Sequence, residues 1–152
     1  SFKKNLSYSS IAVDNEGFLY ATTASGYIDK MNNDGAELFS VYRGKSGQTN
    51  GAVIYDKVLD KLYMLNESTV SEISKNGEII STITTSKKIG LLNAKLGANE
   101  FIGGDGSNTF KVSGTGSIVW TTYYAEMTVA DTKGNVFTGS YPNKKLEKYA
   151  HV

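Results

Sequence analysis

Gly44-Lys45-Ser46, inside YRGKSGQTNG from Tyr42 to Gly51, has the three residues that close a nucleotide-binding P-loop. That motif also needs a glycine five positions before Gly44 and a helix after Ser46, so that backbone N–H groups and a helix N-terminus face the phosphates. Phe39 stands at the first position, and Gly47 to Asn50 opens no helical pattern. The stretch therefore reads as a long connection, not a phosphate cradle. Gly104-Asp105-Gly106 and Gly114-Thr115-Gly116 lack the third glycine and the helix of a dinucleotide fingerprint.

Other chemistries find few residues. His151 is the one histidine, next to the C-terminal residue, and Gly-x-Ser-x-Gly is absent. There is no cysteine, which removes disulfides, thiolate nucleophiles and Cys-rich zinc sites. A metal would have to rest on oxygen donors. Asp105, Ser107 and Asn108 cluster, but without an Asp-x-Asp-x-Asp-Gly run no metal site is assigned. Glycoside hydrolysis needs two carboxylates close in space. Most of the 15 acidic residues fall in turns or at outward strand positions, Glu37, Glu72, Glu78 and Glu147 among them. The expectation is a chain that is not an enzyme and carries no cofactor.

Charge and hydropathy exclude further classes. The net charge is +1, from 16 basic and 15 acidic residues, so no broad field for nucleic acid is present. No apolar run approaches the roughly 20 residues of a membrane helix, and Ser1-Phe2-Lys3-Lys4 is not followed by a signal-peptide core. Neither nucleic-acid binding nor membrane insertion is expected.

Internal repetition organises the rest. IAVDNEGFLYATTASGYIDKMNNDGAELFSVY from Ile11 matches AVIYDKVLDKLYMLNESTVSEISKNGEIISTI from Ala52 element by element. A third copy begins at Leu91, and a fourth, from Met127, stops after its third strand. The second-strand aromatics Tyr20, Tyr63, Phe101 and Phe137 are 43, 38 and 36 residues apart, the period of a propeller blade. Segments of about five to eight residues, rich in Val, Ile, Thr, Tyr and Phe, exclude helices. Tyr27, Asp29 and Met31 face one way while Ile28, Lys30 and Asn32 face the other. Tetrads such as Asp14-Asn15-Glu16-Gly17 and Asp131-Thr132-Lys133-Gly134 supply tight reversals.

These residues carry a family resemblance over nearly the whole chain. GFLYATTASGYIDKMNNDGAELFSV (Gly17 to Val41) and NEFIGGDGSNTFKVSGTGSIVWTT (Asn99 to Thr122) resemble the blades of pyrroloquinoline-quinone-like propellers, with Gly116 and Trp120 at that pattern's Gly and Trp positions. Phe39 takes the aromatic place in the first copy, and the second has Ile79-Ile80-Ser81 there. MTVADTKGNVFTGSY (Met127 to Tyr141) is similar to the blades of NHL-type bacterial propellers. The resemblance implies an architecture, and by analogy with bacterial and phage proteins a role in recognition at a cell surface, virion or extracellular site.

The expected fold is an all-β propeller of about four four-stranded antiparallel blades, a single domain with blades near 9–43, 51–85, 89–123 and 125–151 plus 1–8. Either Phe2 to Ser7 pairs with Lys145 to Tyr149 and closes the last blade, giving a monomer, or the chain is part of a larger propeller or oligomer. The expected function is a non-catalytic binding or assembly module whose rim loops meet a protein or carbohydrate ligand. The alternatives are part of a quinoprotein-like or lyase-like propeller enzyme, and a purely structural repeat domain. Loops after the outer strands should open on the same end as those after the second strands. At that end Arg43 and Lys45 would pair with acidic groups and Gln48 and Asn50 would hydrogen-bond. Tyr124 and Tyr141 would stack, and Asp105 and Asn108 would line the rim.

Overall fold

One turn recurs along the chain and sets its strands. Asp14 Oδ1 accepts from the N–H groups of Glu16 and Phe18, both at 2.9 Å, while Asp14 N–H donates to Phe18 O at 3.0 Å. Asn32 repeats this with Asp34 and Ala36, Ser74 with Asn76 and Glu78, and Ser113 with Thr115 and Ser117. Asp131 does so with Asn135. A short side-chain acceptor two and four residues ahead of its donors fixes such a turn locally, which explains why Asp, Asn and Ser hold these places.

The computed structural model describes residues 7–43, 52–89, 91–96, 100–123, 127–131, 135–140 and 144–149. They form strands and turns. Strands β1 (Tyr8–Val13), β2 (Leu19–Thr23), β3 (Tyr27–Met31) and β4 (Glu37–Tyr42) make the first antiparallel sheet. The second holds β5 (Val53–Asp56), β6 (Lys61–Asn66), β7 (Thr69–Ile73) and β8 (Ile79–Thr84). Strands β9 (Leu91–Leu96), β10 (Glu100–Gly104), β11 (Asn108–Val112) and β12 (Ile118–Tyr123) make the third. The fourth has β13 (Met127–Ala130), β14 (Val136–Ser140) and β15 (Lys145–Tyr149) among the described residues. Each strand pairs with its neighbour in the chain, so every sheet is a meander. Among the described residues no helix is long and apolar enough to cross a membrane.

The chain divides into two packed units, residues 1–84 and 85–152. In the first, Tyr20 and Ile28 of one sheet meet Val53, Leu62, Met64 and Ile73 of the next, and Phe39, Val41 and Tyr55 close the sides. Truncating a fully buried member such as Ile28 to Ala costs about 2–5 kcal/mol. Lys30 crosses the seam, donating to Lys75 O at 3.2 Å with its ammonium 4.2 Å from the Phe18 ring centre. The alternation in β3 marks two faces, yet Ile28, Asp29 and Met31 are all buried, because a middle strand is covered on both sides. Asp29 is held by the hydroxyls of Tyr8 (3.0 Å) and Ser40 (2.5 Å). At the start of the described chain, Ser7 O accepts from Ala24 N–H at 3.3 Å and so prolongs β1. The proposed closing strand otherwise lies outside the described residues.

In the second unit, Ile102 and Val136 form a core flanked by Trp120 and Tyr149, whose rings stack at 5.1 Å and 19°. Burial, and then the hydrogen bond it donates to Glu147, raises the Tyr149 hydroxyl pKa. Lys111 is almost wholly buried in β11 and reaches Glu100 Oε2 at 3.2 Å.

Candidate functional site

The described side chains converge where the β1–β2, β5–β6 and β7–β8 turns of residues 1–84 meet. The β5–β6 turn departs from the repeated pattern. Counting back three residues from the core tyrosines, Asp60 occupies the place of Gly17 and takes the same left-handed backbone, φ +54 against +86. Aspartate tolerates that conformation better than most residues, and here its carboxylate meets Tyr55 and Lys75 of its own sheet.

Asp60 accepts from the Tyr55 hydroxyl, and its Oδ2 lies 3.1 Å from Lys75 Nζ. Lys75 also reaches Glu16 Oε1 at 2.6 Å, and the Tyr55 oxygen accepts from Asn15 N–H at 3.2 Å. Five residues from two sheets thus share one network. Beside it a cavity of about 280 Å3 opens, walled by Tyr20, Leu62, Ile73 and Ile80 as well as by the polar residues. Lys61 and Glu72 form a second couple on its rim at 3.0 Å. Glu72, expected among solvated carboxylates, has a side chain only 15% exposed and is paired. At the back, Asp14 is 5% exposed and accepts from the Tyr20 hydroxyl at 3.2 Å as well as from its own turn.

Asp60, Tyr55, Tyr20 and Lys75 are driven away from neutrality. Hydrogen bonds from Tyr55 and then Lys75 lower the Asp60 carboxyl below its ordinary range. Burial and the bond to Asp60 raise the Tyr55 hydroxyl. Burial, then the Asp14 charge, raises Tyr20 far above it. Hydrogen bonds to Glu16 and Asp60 raise the Lys75 ammonium. At neutral pH the site holds an ionised carboxylate, neutral phenols and a cationic lysine. Among the described residues no group of three or more His, Cys, Asp or Glu is placed to hold a metal ion.

Of the residues expected at the loop end, Arg43, Asp105 and Asn108 are among those described. Arg43 N–H donates to Gly26 O at 2.8 Å, so the end of β4 lies beside the turn after β2. The Arg43 guanidinium turns inward, its Nε donating to Gly77 O at 2.7 Å across the seam. Asp105 caps its own turn, accepting from the N–H groups of Ser107 (2.8 Å) and Asn108 (2.7 Å). Burial opposes ionisation there, but those two bonds, a side-chain bond from Asn108 and the Lys87 charge together lower the Asp105 pKa. Lys45, Gln48, Asn50, Tyr124 and Tyr141 lie outside the described residues. Tyr55, Asp60 and Lys75 escaped the sequence reading, because residues in separate turns give no spacing signal. The one available clue was Asp60 standing in register with Gly17.

Comparison with known proteins places the architecture. The chain is similar to virginiamycin B lyase from Staphylococcus aureus, 11% identical with a TM-score of 0.66 over 98% of this chain and 57% of that one. It is similar to BamB from Moraxella catarrhalis, 18% identical with a TM-score of 0.58 over 93% and 46%. The computationally designed Ika4 protein is 13% identical with a TM-score of 0.69, over 99% of this chain and 95% of that one. The fold is a β-propeller. The sheets are its blades, as the period of the core aromatics predicts. No protein-family model matches the sequence, and no curated protein is significantly similar to it. The chain spans about half the length of the first solved propellers it matches, from 43% to 57%.

Proposed function

We propose that this propeller is a non-catalytic binding module that presents rigid blade-end turns to a protein or carbohydrate partner. One observation carries the reading: the charged side chains around the cavity are taken up by one another, Lys75 by Asp60 and Glu16 and Lys61 by Glu72. A general acid or base works best with a pKa near the operating pH; ion pairs locked in their charged states serve recognition instead. The turns around the cavity are fixed by their own side chains, so little ordering is lost on binding. The Gly116 and Trp120 positions and the Asp131-to-Asn135 turn support blades of the pyrroloquinoline-quinone-like and NHL-like kind.

The test is retention without turnover. The full chain is applied to a glycan array and a peptide array, and any retained compound is then incubated with it and weighed by mass spectrometry. Retention of an unchanged compound supports the reading. Cleavage or elimination refutes it and favours part of a larger propeller enzyme, which the half-length match to a lyase independently suggests. Absence of retention on both arrays refutes binding.

A further inference from the structure

We infer that the cavity between the first two blades takes a neutral, polyhydroxylated ring of sugar size; the inference rests on the binding-module reading and names the ligand class of its site. Size is the first support. A volume of about 280 Å3 lies at the lower edge of ligand pockets, room for one ring and not for a folded segment.

The polar groups supply the second. They come as donor–acceptor couples: Lys61 Nζ is 3.0 Å from Glu72 Oε2, and Lys75 Nζ is 3.1 Å from Asp60 Oδ2. Vicinal hydroxyls of a sugar match such a couple, one donating to the carboxylate while its neighbour accepts from the ammonium. The couple keeps its own attraction throughout. A charged ligand would instead have to compete with one member of a couple for the other, Lys75 being held by Glu16 as well. Asp14 offers no exception, since the Tyr20 hydroxyl and two backbone N–H groups already donate to its carboxylate.

The wall is the third support. Leu62, Ile73, Ile80 and Tyr55 give the polar couples an apolar counterface, as the C–H face of a sugar ring requires. A basic side chain from a partner protein is the competing occupant, attracted by the carboxylates and the tyrosine rings.

Nuclear magnetic resonance of the methyl-labelled full chain separates the two. D-glucose, D-galactose, D-mannose, N-acetyl-D-glucosamine and L-arginine amide are titrated in turn. At least one sugar should move the Leu62, Ile73 and Ile80 methyls saturably, with a dissociation constant on the order of 1 mM. Glu72→Gln should weaken that sugar about tenfold by unmaking one couple. Ile80→Trp, which fills the cavity from its exposed rim, should abolish the shifts in a chain whose remaining spectrum is unchanged. The inference is overturned if no sugar moves those methyls, if arginine amide binds there more tightly, or if Ile80→Trp leaves the affinity intact. Retention on the arrays with silent cavity methyls would sink the cavity inference and leave the binding-module reading standing.

Discussion

Gly77 and Gly17 adopt nearly one backbone conformation, φ +84 and +86, in very different surroundings. A Cβ on Gly77 would stand 3.0 Å from Phe39 Cε2 and 3.2 Å from its Cζ; on Gly17 it would meet nothing within 4 Å. The left-handed backbone costs an L-residue about 1–2 kcal/mol at either place. Only at Gly77 does overpacking add about 1–3 kcal/mol, because the Phe39 ring is wedged against the core of the seam. Gly17→Ala should therefore lose about 1.5 kcal/mol and Gly77→Ala about 3.5 kcal/mol. For a chain of 152 residues the difference amounts to roughly 4–8 °C in Tm. Urea unfolding followed by fluorescence and circular dichroism measures it, provided the two transitions coincide and the m-values match. Equal losses would refute the reasoning: the ring would then move aside freely, and the first two blades would not be close-packed at that turn.

Three further outcomes are expected. In the Lys111–Glu100 pair the lysine is the buried partner, its side chain 5% exposed against 26%. Urea unfolding should show Glu100→Ala, which strands that ammonium, costing about 3 kcal/mol and Lys111→Met under about 1 kcal/mol. Burial, reinforced by the Glu72 and Asp56 charges, pushes the Tyr63 hydroxyl from 10.0 up to about 12. A raised folded pKa gives stability that is complete below the unfolded value and fades as pH rises through the folded one. Alkaline unfolding should therefore set in between pH 10.0 and about 12, and Tyr63→Phe should move it upward in a circular-dichroism titration. The Asp105 carboxyl is lowered from 3.8, so its contribution is present above that value and disappears as pH falls through the folded pKa. Asp105→Asn should be less stable than the parent at neutral pH, with the gap closing under acid in chemical-denaturation curves.

The sequence exposed the fold through local chemistry. Tyr20, Tyr63 and Phe101 recur in phase because each anchors a second strand, and all three are buried. Turns such as Asn32 to Ala36 are legible because donor and acceptor lie within five residues of each other. The site was hidden for the opposite reason. Lys75 meets Glu16 across 59 positions, and nothing in either neighbourhood records the meeting. Arg43 has the look of a surface cation, yet its Nε is taken by a backbone carbonyl 34 residues on. Period-2 alternation likewise divides the faces of β3 but cannot tell that both are covered.

Because each strand among the described residues pairs with its chain neighbour, the order of synthesis can also be the order of assembly. At about 5–20 residues per second, a blade's worth of chain leaves the ribosome in a few seconds. The first hairpins close short loops at small entropic cost and need nothing translated later. Tyr20 and Ile28 do need it, since the side chains that cover them, such as Leu62 and Ile73, lie in the second blade. The finished first blade thus shows the cell an oily face until the second one emerges. A pause in translation just after Tyr42 should lengthen that exposure and invite aggregation or chaperone capture, whereas one after Thr84 finds the first seam already sealed.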